Sequence, residues 1–565
     1  MKKMIPVLIA IVLILVIAGV GFGAKLIEKY SYSDERADLQ EYFGIMGEDD
    51  VPIILQDEQI EAHARIWDGI CYFDLDTVYT YFNDRVYEDK EEDLLIYTMP
   101  DMIIRTEIGS SIYLTGNGEP NDTGYILSRY EGDVLYIAAD YVKQYANFSY
   151  ELFTDPYHMQ IYTAWGERQV ADINKDTQIR YQGGIKSDIL TDVSKGDQVV
   201  ILEEMDTWSK VKTRDSIIGY VENKRLENAR SEEQVPVTDY VEPEYASQTR
   251  DHKINLVWHA VAGPAGNDTL KPMMANTKGV NVISPTWFSL SDNEGNFTSF
   301  ASKEYVNAAH EMGLEVWGLI DNFTNEGVDS YQVLAPTTSR TNLINQLIAA
   351  ALEYDLDGIN IDFESVSVEA GEPFIEFIRE LSIPCRANGI VLSVDNYVPM
   401  SINDHYHREE QGIVADYVII MGYDEHYAGS KEAGSVASIN YVEDGIAHTV
   451  DRVPANKVIN AIPFYTRIWE TTGSTVTSQA VDMETASAYI ANHSIETRWD
   501  EDTCQNYGEY QSGDSYYQVW MEDSESIQVK LNVMSNYGIG GVAAWRLGFE
   551  VPSIWDTIET YVNGN

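Results

Sequence analysis

From about Lys253 onward, short apolar runs alternate with longer stretches whose apolar positions recur at helical spacing. The runs begin near Ile254, Val280, Leu314, Leu356, Ile390, Tyr417, Val458 and Ile539. Strands that alternate with helices make a parallel sheet, and eight such units over about 310 residues suit a closed (β/α)8 TIM barrel. The fourth run ends in a period of two. Ile359, Ile361 and Phe363 fall on one face, and Asn360, Asp362 and Glu364 on the other. In a barrel the apolar face packs on helices, and the strand's C-terminal end opens into the site. Asp362 and Glu364 then stand about 7 Å apart along the strand, at ~3.3 Å per residue. Asp357 has the opposite parity and braces the turn into the strand. Roughly 70 residues separate the seventh and eighth runs, more than one crossover helix needs. Val481–Asp514 holds a helix signal from Met483 to Asn492, so a small α+β lobe is expected there. Ser524 is expected to cap a helix from Ser526 to Tyr537.

The first half of the chain has different patterns. Ile5–Ala24 is an apolar run preceded by Lys2 and Lys3. Its length suits a single membrane span with the N-terminus inside, so residues 1–24 are expected to be a transmembrane anchor. The bulk of the chain would be extracellular; cleavage after Gly23 or Ala24 would instead secrete it. Residues 25–50 are polar and acidic and suit a stalk. Residues 51–172 hold a tandem repeat. Tyr72, Asp76, Val78, Tyr81 and Asn83 recur as Tyr136, Asp140, Val142, Tyr145 and Asn147. Each copy reads as a strand, a short helix and a strand pair, and resembles the α+β module named after the N-terminal domain of copper amine oxidases, with no copper implied. Residues 176–228 read as short strands broken by turns. Lys195-Gly196-Asp197, Trp208-x-x-Val211 and Gly219-Tyr220-Val221 give this stretch a resemblance to the bacterial SH3 domain. Residues 229–250 contain Pro236 and Pro243, lack a period and read as a linker. The barrel occupies 251–565.

Charge narrows the choice of partner. With 91 acidic against 38 basic residues, the net charge is −53. That field repels nucleic acid and anionic lipid and favours a neutral substrate such as a glycan. The three cysteines, Cys71, Cys385 and Cys504, have neither metal-ligand spacing nor a disulfide framework. No metal or cofactor is expected.

Strand ends carry the chemistry of such barrels. They supply Trp287 from the second strand and Asp362 and Glu364 from the fourth. Asn396 comes from the fifth, Tyr423 and Asp424 from the sixth, Tyr465 and Arg467 from the seventh, and Trp545 from the eighth. Asp357-Gly358-x-Asn360-x-Asp362-x-Glu364 resembles the Asp-Gly-x-Asp-x-Asp-x-Glu signature of glycoside hydrolase family 18, the chitinase-like enzymes. Met421-x-Tyr423-Asp424 and Trp545 fit the same pattern. Asn360 departs from it, and Asn-Ile-Asp-Phe-Glu is similar to the branch of spore-cortex and cell-wall N-acetylglucosaminidases.

The resemblance implies substrate-assisted, retaining catalysis. Glu364 would be the general acid. Asp362 would hold the sugar's acetamido N–H, Tyr423 its carbonyl, and Trp545 would floor the sugar. Asn360, Trp287, Asp424, Tyr465, Arg467 and Asn396 are expected around the substrate, with the Asn360 amide donating to ionised Asp362. The implied substrate is peptidoglycan or another N-acetylglucosamine polymer such as chitin. An inert glycan-binding barrel is the alternative, and the retained Glu364 opposes it.

Overall fold

A computed structural model of the chain describes residues 5–564, apart from the side chains at 5–7, 21, 23, 24, 26 and 27. It divides into two compact units. One holds the residues up to Asp84, Ile108–Ile112 and Asn121–Glu242; the other holds Arg85–Glu107, Tyr113–Pro120 and Pro243–Asn565.

The second unit contains the barrel. Its strands are β1 (Ile254–His259), β2 (Val282–Leu290), β3 (Glu315–Asp321), β4 (Gly358–Asp362), β5 (Val391–Tyr397), β6 (Tyr417–Met421), β7 (Val458–Pro463) and β8 (Gly541–Trp545). Each starts within two residues of an apolar run's first position. All are parallel, and the ring closes where β1 pairs with both β2 and β8. The faces of β4 divide as the period of two requires. Ile359, Ile361 and Phe363 join the apolar layer shared with the helices. Inside the ring, Leu256, Trp317, Leu319, Tyr417 and Ile419 fill the barrel, and Tyr423 and Trp545 rest on that plug. The plug explains Gly358, because a Cβ there would lie 2.7 Å from the Trp317 indole. Asp357 braces the entry to β4, with Oδ2 accepting from Val316 N and pairing with His310 Nε2, both at 2.8 Å.

The lobe between β7 and β8 is larger than the sequence suggests. It starts at Tyr465, because Tyr465–Thr472 and Thr475–Asp482 form a hairpin that continues into a five-stranded antiparallel sheet. The helix Met483–Asn492 packs on one face through Ala486 and Ile490, against Val519 and Met521. The helix after the lobe is Ser524–Tyr537. Asp523, rather than Ser524, caps it by accepting from Glu525 N and Ser526 N.

The second unit also includes strands from the repeat region. Val86–Asp89 and Leu94–Thr98 lie against the barrel helix Gly371–Asn388, and Asp89 and Arg105 bond Thr337 and Thr341 of the helix Thr337–Tyr354. Arg85 Nε meets Glu410 Oε1 at 2.8 Å, Tyr87 donates to Ala335 O at 2.9 Å, and Thr98 donates to buried Glu376 at 2.5 Å. Arg340 and Glu380, both buried, pair at 3.0 Å.

In the first unit, the two repeat copies form strand and helix in the same order. Ile70–Asp74 leads into Leu75–Tyr81, and Val134–Ala138 into Ala139–Val142. The two strands pair with each other antiparallel, Ile137 opposite Phe73. Residues 177–222 form five short strands around Ile179, Val193, Val199, Val211 and Val221. Leu226–Glu233 is a strand paired with Glu167–Ile173, so the irregular linker starts after Glu233 and not at 229. The stalk expected over 25–50 is shorter too. Leu39–Phe43 is a helix, and Phe43 is buried with Ile54, Leu190 and Ile217.

Ile5–Tyr30 is a helix, and its Leu8–Val20 stretch is exposed throughout. Among the described residues no helix is long and apolar enough to cross a membrane. The span expected over Ile5–Ala24 includes side chains that lie outside the described residues.

Candidate active site

Asp362 ends β4, and Glu364 follows on the same face, at the rim. Both line a cavity of about 230 Å³ at the C-terminal mouth of the barrel. Trp258, Asp395, Tyr397, Tyr423, Asp424, Tyr465 and Trp545 complete most of the wall, with Phe323 and Met421. Asp362 is 7% exposed, and its Oδ1 is buried without a hydrogen-bond partner. Burial raises the Asp362 carboxyl well above its usual range, and the nearby carboxyls of Asp395, Glu364 and Asp321 add to this. Burial also raises Glu364, helped by Asp424 and Asp321 and opposed by a hydrogen bond from Tyr397. An acid that keeps its proton toward neutral pH is what protonation of a leaving group requires.

Glu364 is held at both ends. Its backbone N donates to Asn322 Oδ1 and its carbonyl accepts from Asn322 Nδ2, each at 2.8 Å. Its Oε2 accepts from the Tyr397 hydroxyl at 2.8 Å. Asp424, in the left-handed region at φ 59°, is exposed, and Tyr465 donates to its Oδ1 at 2.6 Å. The Tyr423 hydroxyl is raised well above its usual range by burial, so it stays a donor. Trp545 lies beside Trp258, ring centroids 6.0 Å apart.

Four expected substrate contacts, Asn360, Trp287, Asn396 and Arg467, are elsewhere. Asn360 is fully buried. Its Oδ1 accepts from Trp258 Nε1 at 2.9 Å and Ser284 Oγ at 3.1 Å; its Nδ2 donates to Ser393 Oγ at 3.0 Å and Asp395 Oδ1 at 2.8 Å. It therefore meets neither a sugar nor Asp362. Trp287 is fully buried in the helix layer and donates to Asn267 at 2.8 Å. A register shift between Thr286 and Phe288 breaks the alternation of β2, so a strand-end position there does not face the mouth. Asn396 is also fully buried and bonds Gln411 Oε1 at 2.7 Å, on the helix side of β5. Arg467 lies on the first strand of the lobe, where its Nη1 donates to Ser478 Oγ at 2.9 Å. Tyr423, Asp424, Tyr465 and Trp545 line the cavity with the two acids. Sequence reasoning passed over Asp395 and Tyr397. Both have the parity of Ser393, which reaches Asn360 across the barrel interior, and that alternation was readable.

Residues 238–550, more than half of the chain, match the family described as Glycosyl hydrolases family 18. The chain belongs to that family. This family-18 glycosidase also matches the bacterial SH3 domain over residues 175–227. It is 28% identical over 292 residues to the "Uncharacterized glycosylase YvbX" of Bacillus subtilis (strain 168), covering 49% of this chain and 84% of that protein. It is 32% identical to the "Putative sporulation-specific glycosylase YdhD" of the same organism, over 42% of this chain and 58% of that one. The "Cortical fragment-lytic enzyme" of Bacillus anthracis is 26% identical, over 40% of this chain and 54% of the relative. The match thus spans a little over half the length of the latter two. Among solved structures, the chitinase of Chromobacterium violaceum ATCC 12472 superposes with a TM-score of 0.50 at 24% identity, over 55% of this chain and all of that one. The spore cortex-lytic enzyme SleL of Bacillus cereus gives 0.50 at 21%, over 58% and 78%. Both show the shared barrel fold.

Proposed function

We propose that this glycosidase cleaves β-1,4 bonds beside N-acetylglucosamine in peptidoglycan, with the sugar's own acetamido group as nucleophile. The observation that carries the reading is Asp362 Oδ1, a buried acceptor with no partner, lining one small cavity with Glu364, Tyr423 and Trp545. A buried acceptor without a donor is costly, and an acetamido N–H supplies one.

Glu364 gives its proton to the glycosidic oxygen as that bond breaks. The acetamido carbonyl oxygen, held by the Tyr423 hydroxyl, attacks the anomeric carbon and closes an oxazolinium ion. Ionised Asp362 accepts the acetamido N–H and offsets the growing positive charge, in a desolvated site where that attraction is strong. Water, deprotonated by Glu364, then opens the ring from the face the leaving group left, so configuration is retained. Trp545 presents its ring to the apolar face of the sugar. Asn322 and Tyr397 fix Glu364 for both proton transfers.

The wall polymer is favoured over chitin by two supports. The names of the sporulation and cortical relatives refer to spore-wall chemistry. The SH3 match adds a module suited to holding a wall-bound enzyme on an insoluble substrate. The apolar run Ile5–Ala24 after Lys2 and Lys3 supports anchoring to the membrane with the barrel outside. Leu8 to Ile17 expose 52–65% of their surface wherever a large apolar side chain occurs, which an anchor in lipid would cover. The test is digestion of purified peptidoglycan and of chitin oligomers, with product masses read out. Fragments with a reducing-end N-acetylglucosamine from peptidoglycan are expected. Cleavage of chitin oligomers alone would move the substrate to chitin, and cleavage of neither would end the reading.

A further inference from the structure

Where the family pattern has an acid, this chain has Asn360, so Asp362 lacks the carboxyl expected two residues before it on its own strand. Another carboxyl stands beside it on the next strand. β4 and β5 pair in parallel with Asn360 opposite Ser393 and Ile361 opposite Val394; the next pair in that register is Asp362 and Asp395. Both carboxyls line the same cavity, and Asp395 is 2% exposed. The Asn360 amide donates to Asp395 Oδ1 at 2.8 Å, which fixes that side chain and leaves its other oxygen for a second partner. Asp362 Oδ1 is the buried oxygen with no partner.

We propose that Asp395, on the strand beside β4, is a positioning residue that holds one proton jointly with Asp362. Two carboxyls side by side in a desolvated site cannot both ionise; one proton between them removes the repulsion and makes a hydrogen bond. With that proton on Asp395, Asp362 remains an anion aimed at the sugar, free to accept the acetamido N–H. The proton is neither gained nor lost in the cycle; it moves toward Asp362 when the site is empty and back to Asp395 when the sugar's N–H arrives. The groups around the pair leave no other way to neutralise it. Asp321 faces it from β3, Glu364 from just past β4, Tyr397 from β5, Tyr423 and Asp424 from the turn after β6, and Tyr465 from the lobe. All are acids or phenols, and among the described residues no Arg, Lys or His acts on either carboxyl. Asp321 is already occupied, accepting from Ser289, Thr324 and the backbone N of Phe323. Burial raises Asp395 well above the usual range, against the Asn360 hydrogen bond, as a shared proton requires.

The proposal rests on the substrate-assisted reading, so its test has one arm that needs no substrate. Infrared difference spectra at neutral pH, wild type minus Asp395→Asn and wild type minus Asp362→Asn, should each show the same lost band, that of a protonated carboxyl hydrogen-bonded to its carboxylate partner, since either amide removes one of the two groups that share the proton. The Glu364 proton is common to all three proteins and cancels. The kinetic arm uses a soluble N-acetylglucosamine oligosaccharide. Asp395→Asn should lower kcat on the order of a hundredfold, with KM changed only a few-fold, as for loss of one preorganised group in an active site. The double variant Asn360→Asp with Asp395→Asn puts the second carboxyl back on β4 and should recover about tenfold or more of that loss. A merely structural role for Asp395 gives no such recovery. No protonated-carboxyl band in either difference spectrum would overturn the proposal. So would a double variant no faster than Asp395→Asn, or an Asp395→Asn enzyme with the kcat and pH profile of the wild type. Failure of the catalytic reading itself shows separately, as turnover retained by Glu364→Gln.

Discussion

Glu364 is a tuned acid, and the tuning has a sign. The Tyr397 hydroxyl donates to its Oε2 and favours the ionised form, while burial, Asp424 and Asp321 favour the protonated one. Tyr397→Phe removes the only one of these that lowers the pKa. The basic limb of kcat/KM against pH should therefore move up, by a few tenths of a unit to about one. A limb moved to lower pH would show that Tyr397 does not hold the ionised acid. The same groups link pH to stability. Asp362, Asp395 and Glu364 all have folded pKa values above their unfolded ones. Between the two values the native state binds more protons than the unfolded chain. Their contribution is then fully present below the ordinary carboxylate range and is lost as pH rises through the folded values. Glu364→Gln should flatten that loss and raise the midpoint of thermal unfolding at neutral pH. A lower midpoint in the variant would contradict the sign.

At the scale of elements, the ring closes at a seam where β8 meets β1 and β7. Gly541 opens β8, and a Cβ there would lie 2.4 Å from Ile254 O and 2.8 Å from Ile254 Cβ. Neither neighbour can move without shifting β1, so Gly541→Ala should cost about 1–3 kcal/mol in denaturant unfolding, the range for forced overpacking. An unchanged midpoint would mean the seam has slack. The eight strands were legible because parallel barrel strands are buried on both faces and read as apolar runs. The acids of β4 were legible because alternation there is unbroken. Trp287 was misread because a register shift in β2 reverses its face, and Asn396 because strand-end position was used where parity was needed. Arg467 was misplaced because β7 stops at Pro463 and the lobe starts two residues later. Asp395 comes beside Asp362 only through the register of β5 on β4, in which Ile361 lies opposite Val394, and one strand's sequence does not carry that register.

For the molecule as a whole, the barrel does not end where its own sequence begins. The strands between Val86 and Glu107 cover the helices Thr337–Tyr354 and Gly371–Asn388, and Tyr87, Leu95, Ile96, Tyr97 and Ile104 are buried. Asp89 accepts from the Thr337 backbone N at 2.6 Å, at the first residue of one of those helices. A fragment of residues 243–565 loses all of this and exposes an apolar helix face. It should unfold at a lower temperature than residues 31–565 and bind a hydrophobic dye when folded; equal melting temperatures would show that the strands are dispensable. The proposed orientation is tested on intact cells. Added protease should release a soluble fragment containing the barrel, and protection until the membrane is opened would refute the outward placement.

The measurement closest to the central claim is the initial rate of reducing-end release from purified peptidoglycan by the wild type and by Glu364→Gln, at equal concentration and with both proteins shown to be folded. An amide cannot donate the proton that the leaving oxygen needs. The rate should fall by a factor of about 10² to 10⁴ or more, while binding to the polymer is kept. A Glu364→Gln protein that releases reducing ends at the wild-type rate would contradict the assignment of the acid and the chemistry built on it.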